Sequence, residues 1–259
     1  MDLIDRALAG LSLDDVFIVD CHAHGGGRKA IDRDDSVERY VQRMDRVGID
    51  VTCLSAFPPS AGATLQRHND LVAQFTTAQP ERFRGYCWVT PNYPEHVLGE
   101  LARCIDELHF VGIKVHTHPQ YPYDGPRYDA VYRFADEHHL PILAHTWGDV
   151  SVRQFAAMAR KHPNARFLLG HTSAGDININ IEELDRTPNL YAELAFSGGT
   201  PRQTELLVRR IGAPRILWGS DTPLFAASHQ IGKVVFADIS DIDKRLILGE
   251  NARRLFNLA

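Results

Sequence analysis

The chain has no apolar run that reaches the ~18 residues of a membrane span. Its opening segment, MDLIDRALAGLSLDD, carries acidic side chains where a secretion signal would carry basic ones. Both absences argue against a membrane partner. A basic cluster is also missing: the 28 Lys and Arg are scattered among 33 Asp and Glu, giving a formal net charge of -5. No nucleic-acid footprint is expected from that balance, and a small neutral or anionic organic substrate fits it better. Cysteine is sparse and unpatterned. Cys21, Cys53, Cys87 and Cys104 show no CxxC spacing, and three of them lie in apolar runs. Buried, reduced thiols in a cytoplasmic protein are the expectation. No linker rich in Gly, Ser and Pro and no fixed-period repeat divides the chain, so residues 1–259 are expected to form one domain. That length is close to the ~250 residues typical of a (β/α)8 barrel.

What the sequence does contain is an alternation of apolar runs and amphipathic stretches, which predicts an α/β fold with a parallel sheet wrapped by helices. Eight strands are expected, at 16–21, 51–57, 83–89, 111–116, 141–145, 165–171, 189–195 and 215–220. Ser36 before VERYVQRMDRVG, Pro94 ahead of EHVLGELARCIDEL and Asp129 before AVYRFADEHH mark helix starts.

Several strands end in a metal-binding or ionisable side chain. His22 and His24 stand two apart on a strand, so their imidazoles share a face and can reach one ion. Later strands end at His145, His171 and Asp221, where a hydrophobic core has no use for polar residues. The C-terminal strand ends are where a (β/α)8 TIM barrel builds its active site. Long loops follow strands one and four, GGGRKAIDRDD and THPQYPYDGPRYD, and such loops form substrate pockets. They carry Arg28 and Arg127, either of which could hold a substrate carboxylate through a bidentate fork.

The segments VDCHAH, GIKVHTHP, LPILAHTW, LLGHTSAG, ILWGSDTP and ILGENARRLF, in that order from Val19 to Phe256, resemble the barrel strands of the amidohydrolase superfamily. The similarity is to the amidohydrolase-related group that includes aminocarboxymuconate semialdehyde decarboxylase. It implies a distorted (β/α)8 barrel with a divalent metal at its mouth. His22, His24, His145 and Asp221 would be the metal ligands, and His171 would sit beside a metal-bound water. Imidazoles with one carboxylate suit Zn first, with Mn, Fe or Co possible. In binuclear members a carboxylated lysine ends strand four, and Lys114 matches that position. One ion is nevertheless the expected count. The other reading of Lys114 is a cation that neutralises Asp221 or a substrate carboxylate.

His116 shares a face with Lys114 and is a pocket candidate, whereas His118 reads as a loop residue. Trp147 follows His145 and either walls the pocket or packs. Glu193 and Asp20 could accept hydrogen bonds from ligand histidines, although a salt bridge is the readier account of Glu193. His68, His96, His109, His138, His139 and His162 fall on helical stretches or their ends, where solvated or capping roles are the default, and Asn251 reads as a helix cap.

A metal-dependent hydrolase acting on an amide, lactone or related carbonyl bond is the leading expectation. Asp221 would be the general base toward a metal-activated water, and His171 would polarise the substrate or shuttle the proton. Non-oxidative decarboxylation of a small carboxylic acid is the alternative on the same ligands. A non-catalytic scaffold barrel is the third possibility, since fold does not fix function. The resemblance also implies a possible homodimer.

Overall fold

A computed structural model describes residues 1–26, 36–57, 64–196 and 200–258. Arg28 and most of the loop that carries it lie outside the described residues. Eight parallel strands form one sheet in the order β1 to β8. They are β1 (Val19–His24), β2 (Val51–Ser55), β3 (Phe83–Trp88), β4 (Gly112–Val115), β5 (Pro141–His145), β6 (Arg166–Gly170), β7 (Leu190–Glu193) and β8 (Ile216–Leu217). The helices that follow them are α2 (Val37–Val47), α3 (Leu65–Ala78), α4 (Pro94–Ala102), α5 (Asp129–Glu137), α6 (Asp149–Lys161), α7 (Ile177–Arg186), α8 (Gln203–Ile211) and α9 (Ala227–Val235). α1 (Leu3–Leu8) precedes the barrel, and α10 (Asp241–Arg245) and α11 (Asn251–Leu255) complete it. Sequential parallel strands joined by helices make a (β/α)8 TIM barrel.

The sheet closes through β1 and the segment after β8. Cys21 N donates to Trp218 O at 3.0 Å, His24 N to Thr222 O at 2.7 Å and Asp221 N to His22 O at 2.7 Å. Closure by irregular backbone rather than a full ladder explains why β8 has two residues where six were expected. β1 differs as well, running three residues later than expected. Among the helix signals, Ser36 caps α2 and Pro94 opens α4. Asp129 stands inside the first turn of α5 rather than before it.

Alternation sorts the strand residues into two apolar layers. Val19, Cys21, Val51, Cys53, Tyr86, Leu143, Leu168 and Leu217 pack in the lumen, closed from below by Ala252, Phe256 and Leu258. Leu54, Ile113, Val115, Ile142, Phe167, Leu169 and Ile216 pack outward with the helices. Asn251 holds the floor in place: its amide donates to Ala213 O at 2.7 Å and Ile216 O at 2.8 Å. With Leu143 on the lumen face, its register partner Lys114 also points inward.

Candidate metal centre

Strict alternation along β1 would turn His22 and His24 outward, because Val19 and Cys21 face the lumen. The β1–β2 register shifts between Asp20 and Ala23, and this irregularity reverses the faces. Ala23 packs with the outer layer, while both histidines join the mouth. Donor atoms of His22, His24 and Asp221 then lie within 4.8 Å of one another, all on buried side chains. His24 Nε2 is 3.0 Å and His22 Nε2 3.8 Å from Asp221 Oδ1.

Hydrogen bonds fix the ring orientations. Glu193, fully buried on β7, accepts from His22 Nδ1 at 2.8 Å, which turns the Nε2 lone pair into the site. Its two oxygens also take the backbone N–H of His171 at 3.2 Å and of Ala195 at 2.6 Å. Ser55 Oγ lies 3.1 Å from His24 Nδ1, and a hydroxyl serves either tautomer. Gly219 makes room for this packing: a Cβ there would stand 2.4 Å from Glu193 Oε1 and 2.7 Å from His22 Cβ.

A second pair lies beside the first. His171 Nδ1 donates to Ala195 O, an acceptor only, so its Nε2 carries the lone pair that receives His145 Nδ1–H at 3.0 Å. His145 Nε2 is thereby left as a lone pair. His145 itself is joined to His171 rather than to the trio of converging donors. It stacks on His116 at 4.1 Å and lies parallel to Trp147 at 5.6 Å. Trp147, half exposed, meets Phe196 edge-on at 4.9 Å, and Phe57 stacks on His24 at 4.5 Å. The mouth thus has aromatic surface on both the β1 and β5 sides.

Lys114 Nζ is buried 2.7 Å from His22 Nε2. Burial pushes this amine down to about 8, against the pull of Asp221 and Glu193. Burial, with Lys114 next to it, keeps the His22 imidazole neutral, well below its ordinary range. At Asp221 burial works against ionisation, but the His24 hydrogen bond and the neighbouring His22 hold the carboxyl below its usual range. Burial raises Glu193. Partial burial, with Lys114 nearby, lowers His116 to about 4.

Asp221 and His171 both have left-handed backbone, with φ of 56° and 63°. Such strain costs on the order of 1–3 kcal/mol for a non-glycine residue and clusters at functional sites. It is held here by the bonds from Asp221 N to His22 O and from His171 N to Glu193.

Two expectations change, those for Asp20 and His68. Asp20 accepts from no imidazole; its carboxyl, raised by burial to about 7, binds Ser220 N at 2.8 Å, Ser220 Oγ and His22 N, stitching β1 to the segment after β8. Arg127, the described substrate-loop candidate, donates to Pro91 O at 2.9 Å and lies 4.3 Å over the Tyr121 ring. His68 is neither solvated nor a cap: it is 5% exposed and packs 4.6 Å from Trp88. Ser55 and Phe57 went unremarked in the sequence because nothing distinguishes them from ordinary strand-end residues.

The neutral His22 imidazole, the His24 ring nitrogen, one ionised carboxylate and a third imidazole lone pair at the rim suit a divalent cation, and the carboxylate behind His22 is the usual support of such a ligand. The residues present therefore fit one metal ion.

The family model described as Amidohydrolase matches residues 19–258. A gamma-resorcylate decarboxylase of Polaromonas sp. is 27% identical, over 86% of this chain and 88% of its own. Among solved structures, a dihydroxybenzoic acid decarboxylase of Polaromonas sp. with bound manganese and 2-nitroresorcinol superposes with TM-score 0.73 at 22% identity, covering 94% of this chain and 97% of that one. A 5-carboxyvanillate decarboxylase of Novosphingobium aromaticivorans, also with manganese, gives TM-score 0.78 at 18% identity, covering 95% and 97%. The relatives correct the leading functional expectation. The curated relatives that match 86% and 83% of this chain are both gamma-resorcylate decarboxylases, not hydrolases of an amide or lactone by name. The error has a chemical cause, because the same ligand set serves both reactions.

Proposed function

The chain belongs to the amidohydrolase family of enzymes, and on that premise we propose that it catalyses the non-oxidative decarboxylation of a small aromatic carboxylic acid at a single divalent metal. The reading rests on one observation above the others: a buried His22, His24 and Asp221 trio lies between aromatic walls in a chain whose aligned relatives are decarboxylases of hydroxylated benzoates.

The reaction exchanges a carboxylate for a proton. A ring C–H bond forms, the bond to the carboxylate breaks, its electron pair returns to the ring and carbon dioxide leaves. We assign His22, His24 and Asp221 as metal ligands, with His145 as the fourth donor through its free Nε2 lone pair. The bound ion would supply a positive anchor for the substrate's oxygens; manganese is the first ion to test and zinc the second. Asp221, ionised in the resting site, is assigned to take a proton from solvent by way of His171 and to pass it to the ring carbon. Lys114 is assigned charge balance for the anionic substrate, supported by its burial beside Asp221 and Glu193. Phe57 and Trp147 are assigned to the ring faces of the substrate. All four cysteines are buried and unpaired, which supports a reducing compartment such as the cytoplasm.

The test is a panel of aromatic acids incubated with manganese- and zinc-loaded protein while carbon dioxide release is followed. Release from at least one hydroxybenzoate is expected. Hydrolysis of esters, lactones or amides with no release from any acid would contradict the proposal.

A further inference from the structure

Two buried polar atoms at the mouth have no hydrogen-bond partner among the described residues. They are His68 Nε2 and Trp88 Nε1, on side chains each 5% exposed, with ring centroids 4.6 Å apart. Leaving one such group unpaired costs about 1–3 kcal/mol, so two side by side call for an explanation.

Their setting is built with care. Cys87 points outward, toward Asn69 and Glu100 O, so Trp88, next along β3, starts from the lumen face, in register with Lys114. The Trp88 backbone is clamped: Asn69 Oδ1 accepts its N–H at 2.7 Å and Asn69 Nδ2 donates to its carbonyl at 3.2 Å. Asn69 in turn donates to Glu100 at 2.8 Å, and Glu100 takes both Nε and Nη2 of Arg103, at 2.9 and 2.7 Å. The Trp88 backbone is thus fully paired, while the indole N–H itself is left open.

His68, next to Asn69 on α3, hydrogen-bonds the backbone of Phe57, whose ring lies on the ligand candidate His24. With the other ring nitrogen donating to that backbone, Nε2 carries a lone pair. Burial lowers this imidazole to about 4, which keeps it neutral. A donor and an acceptor are therefore carried on two rings 4.6 Å apart, linked to His24 through Phe57.

One group satisfies both at once: a hydroxyl, which accepts from N–H and donates to a lone pair. A carboxylate would answer only the indole and an ammonium only the imidazole. We infer that His68 and Trp88 form a subsite for a hydroxyl on the substrate ring, with Trp88 Nε1–H donating to its oxygen and His68 Nε2 accepting its proton. The inference rests on the proposed decarboxylase reading for the substrate, though not for the geometry. An ordered water carries the same chemistry, and the test separates the two.

The probes are γ-resorcylate and benzoate, which lacks the ring hydroxyls, titrated into manganese-loaded wild type, His68→Phe and Trp88→Phe. Thermal melts accompany each protein to show that the ring-for-ring changes fold. Wild type is expected to prefer γ-resorcylate by roughly tenfold or more, from hydrogen bonds otherwise left unmade. In either variant that preference should shrink to about twofold while benzoate affinity holds. A preference that survives in both variants overturns the subsite and leaves the decarboxylase reading standing. A crystal structure showing a water on the two nitrogens that stays when γ-resorcylate binds also overturns it. If wild type binds neither acid, the decarboxylase reading is what fails. Phenol titrated into the same three proteins then decides the subsite: binding that both variants weaken by about tenfold upholds it, and binding that both leave unchanged overturns it.

Discussion

The Glu193 carboxylate accepts a hydrogen bond from His22 Nδ1 at 2.8 Å across a fully buried gap between the seventh and first strands. This bond fixes which His22 nitrogen looks into the site, where Lys114 Nζ meets the other one at 2.7 Å. Replacing Glu193 with Gln should lower metal affinity about 10–100-fold, the usual effect of losing the acceptor behind a ligand histidine. Competition against a chelator of known affinity checks this, and equal affinities would remove Glu193 from the account.

Asp221→Asn should retain most of the metal, since the imidazoles remain, but lower turnover by about 10²-fold or more because the proton-carrying group is gone. Metal content by elemental analysis is read beside the rate. A variant with full metal and an unchanged rate would sink the role given to Asp221.

Stability should depend on pH through His68. Its folded pKa, lowered by burial to about 4 from 6.5, means the unfolded chain binds the proton first as pH falls. The contribution is complete above pH 6.5 and is lost between 6.5 and about 4. His68→Phe should flatten that part of the denaturant-midpoint profile relative to wild type, whereas parallel profiles would show that His68 titrates normally.

Asn69→Ala should destabilise the fold by about 2–3 kcal/mol, because Trp88 N and O and one Glu100 oxygen lose a buried partner together. Urea titration measures it. A cost below about 0.5 kcal/mol, the level of an ordinary surface change, would contradict the clamp.

The barrel could be read from the chain because eight apolar runs alternate with amphipathic ones, and the sites of His22, His24, His145, His171 and Asp221 were visible as strand ends. The bulge that turns His22 and His24 inward was not. Plain alternation places His22 and His24 on one face without saying which, and the register shift at Asp20 and Ala23 depends on β2 and on closure by Trp218 and Thr222. Glu193 and His68 were underrated for a related reason. A glutamate on a short strand and a histidine on a helix gain meaning only from what the fold brings against them. Nor do the left-handed conformations of His171 and Asp221 leave a mark in residue type. Hydrolysis and decarboxylation could not be separated at all, since the donors for one are the donors for the other.

The most direct test of the central claim is incubation of manganese-loaded protein in D₂O with aromatic acids labelled with ¹³C at the carboxylate, beginning with γ-resorcylate, followed by NMR. The account predicts that the label leaves as carbon dioxide and bicarbonate while one deuterium enters the ring carbon that held it. A label that stays on the ring for every acid tested, with metal bound to His22, His24 and Asp221, would contradict it.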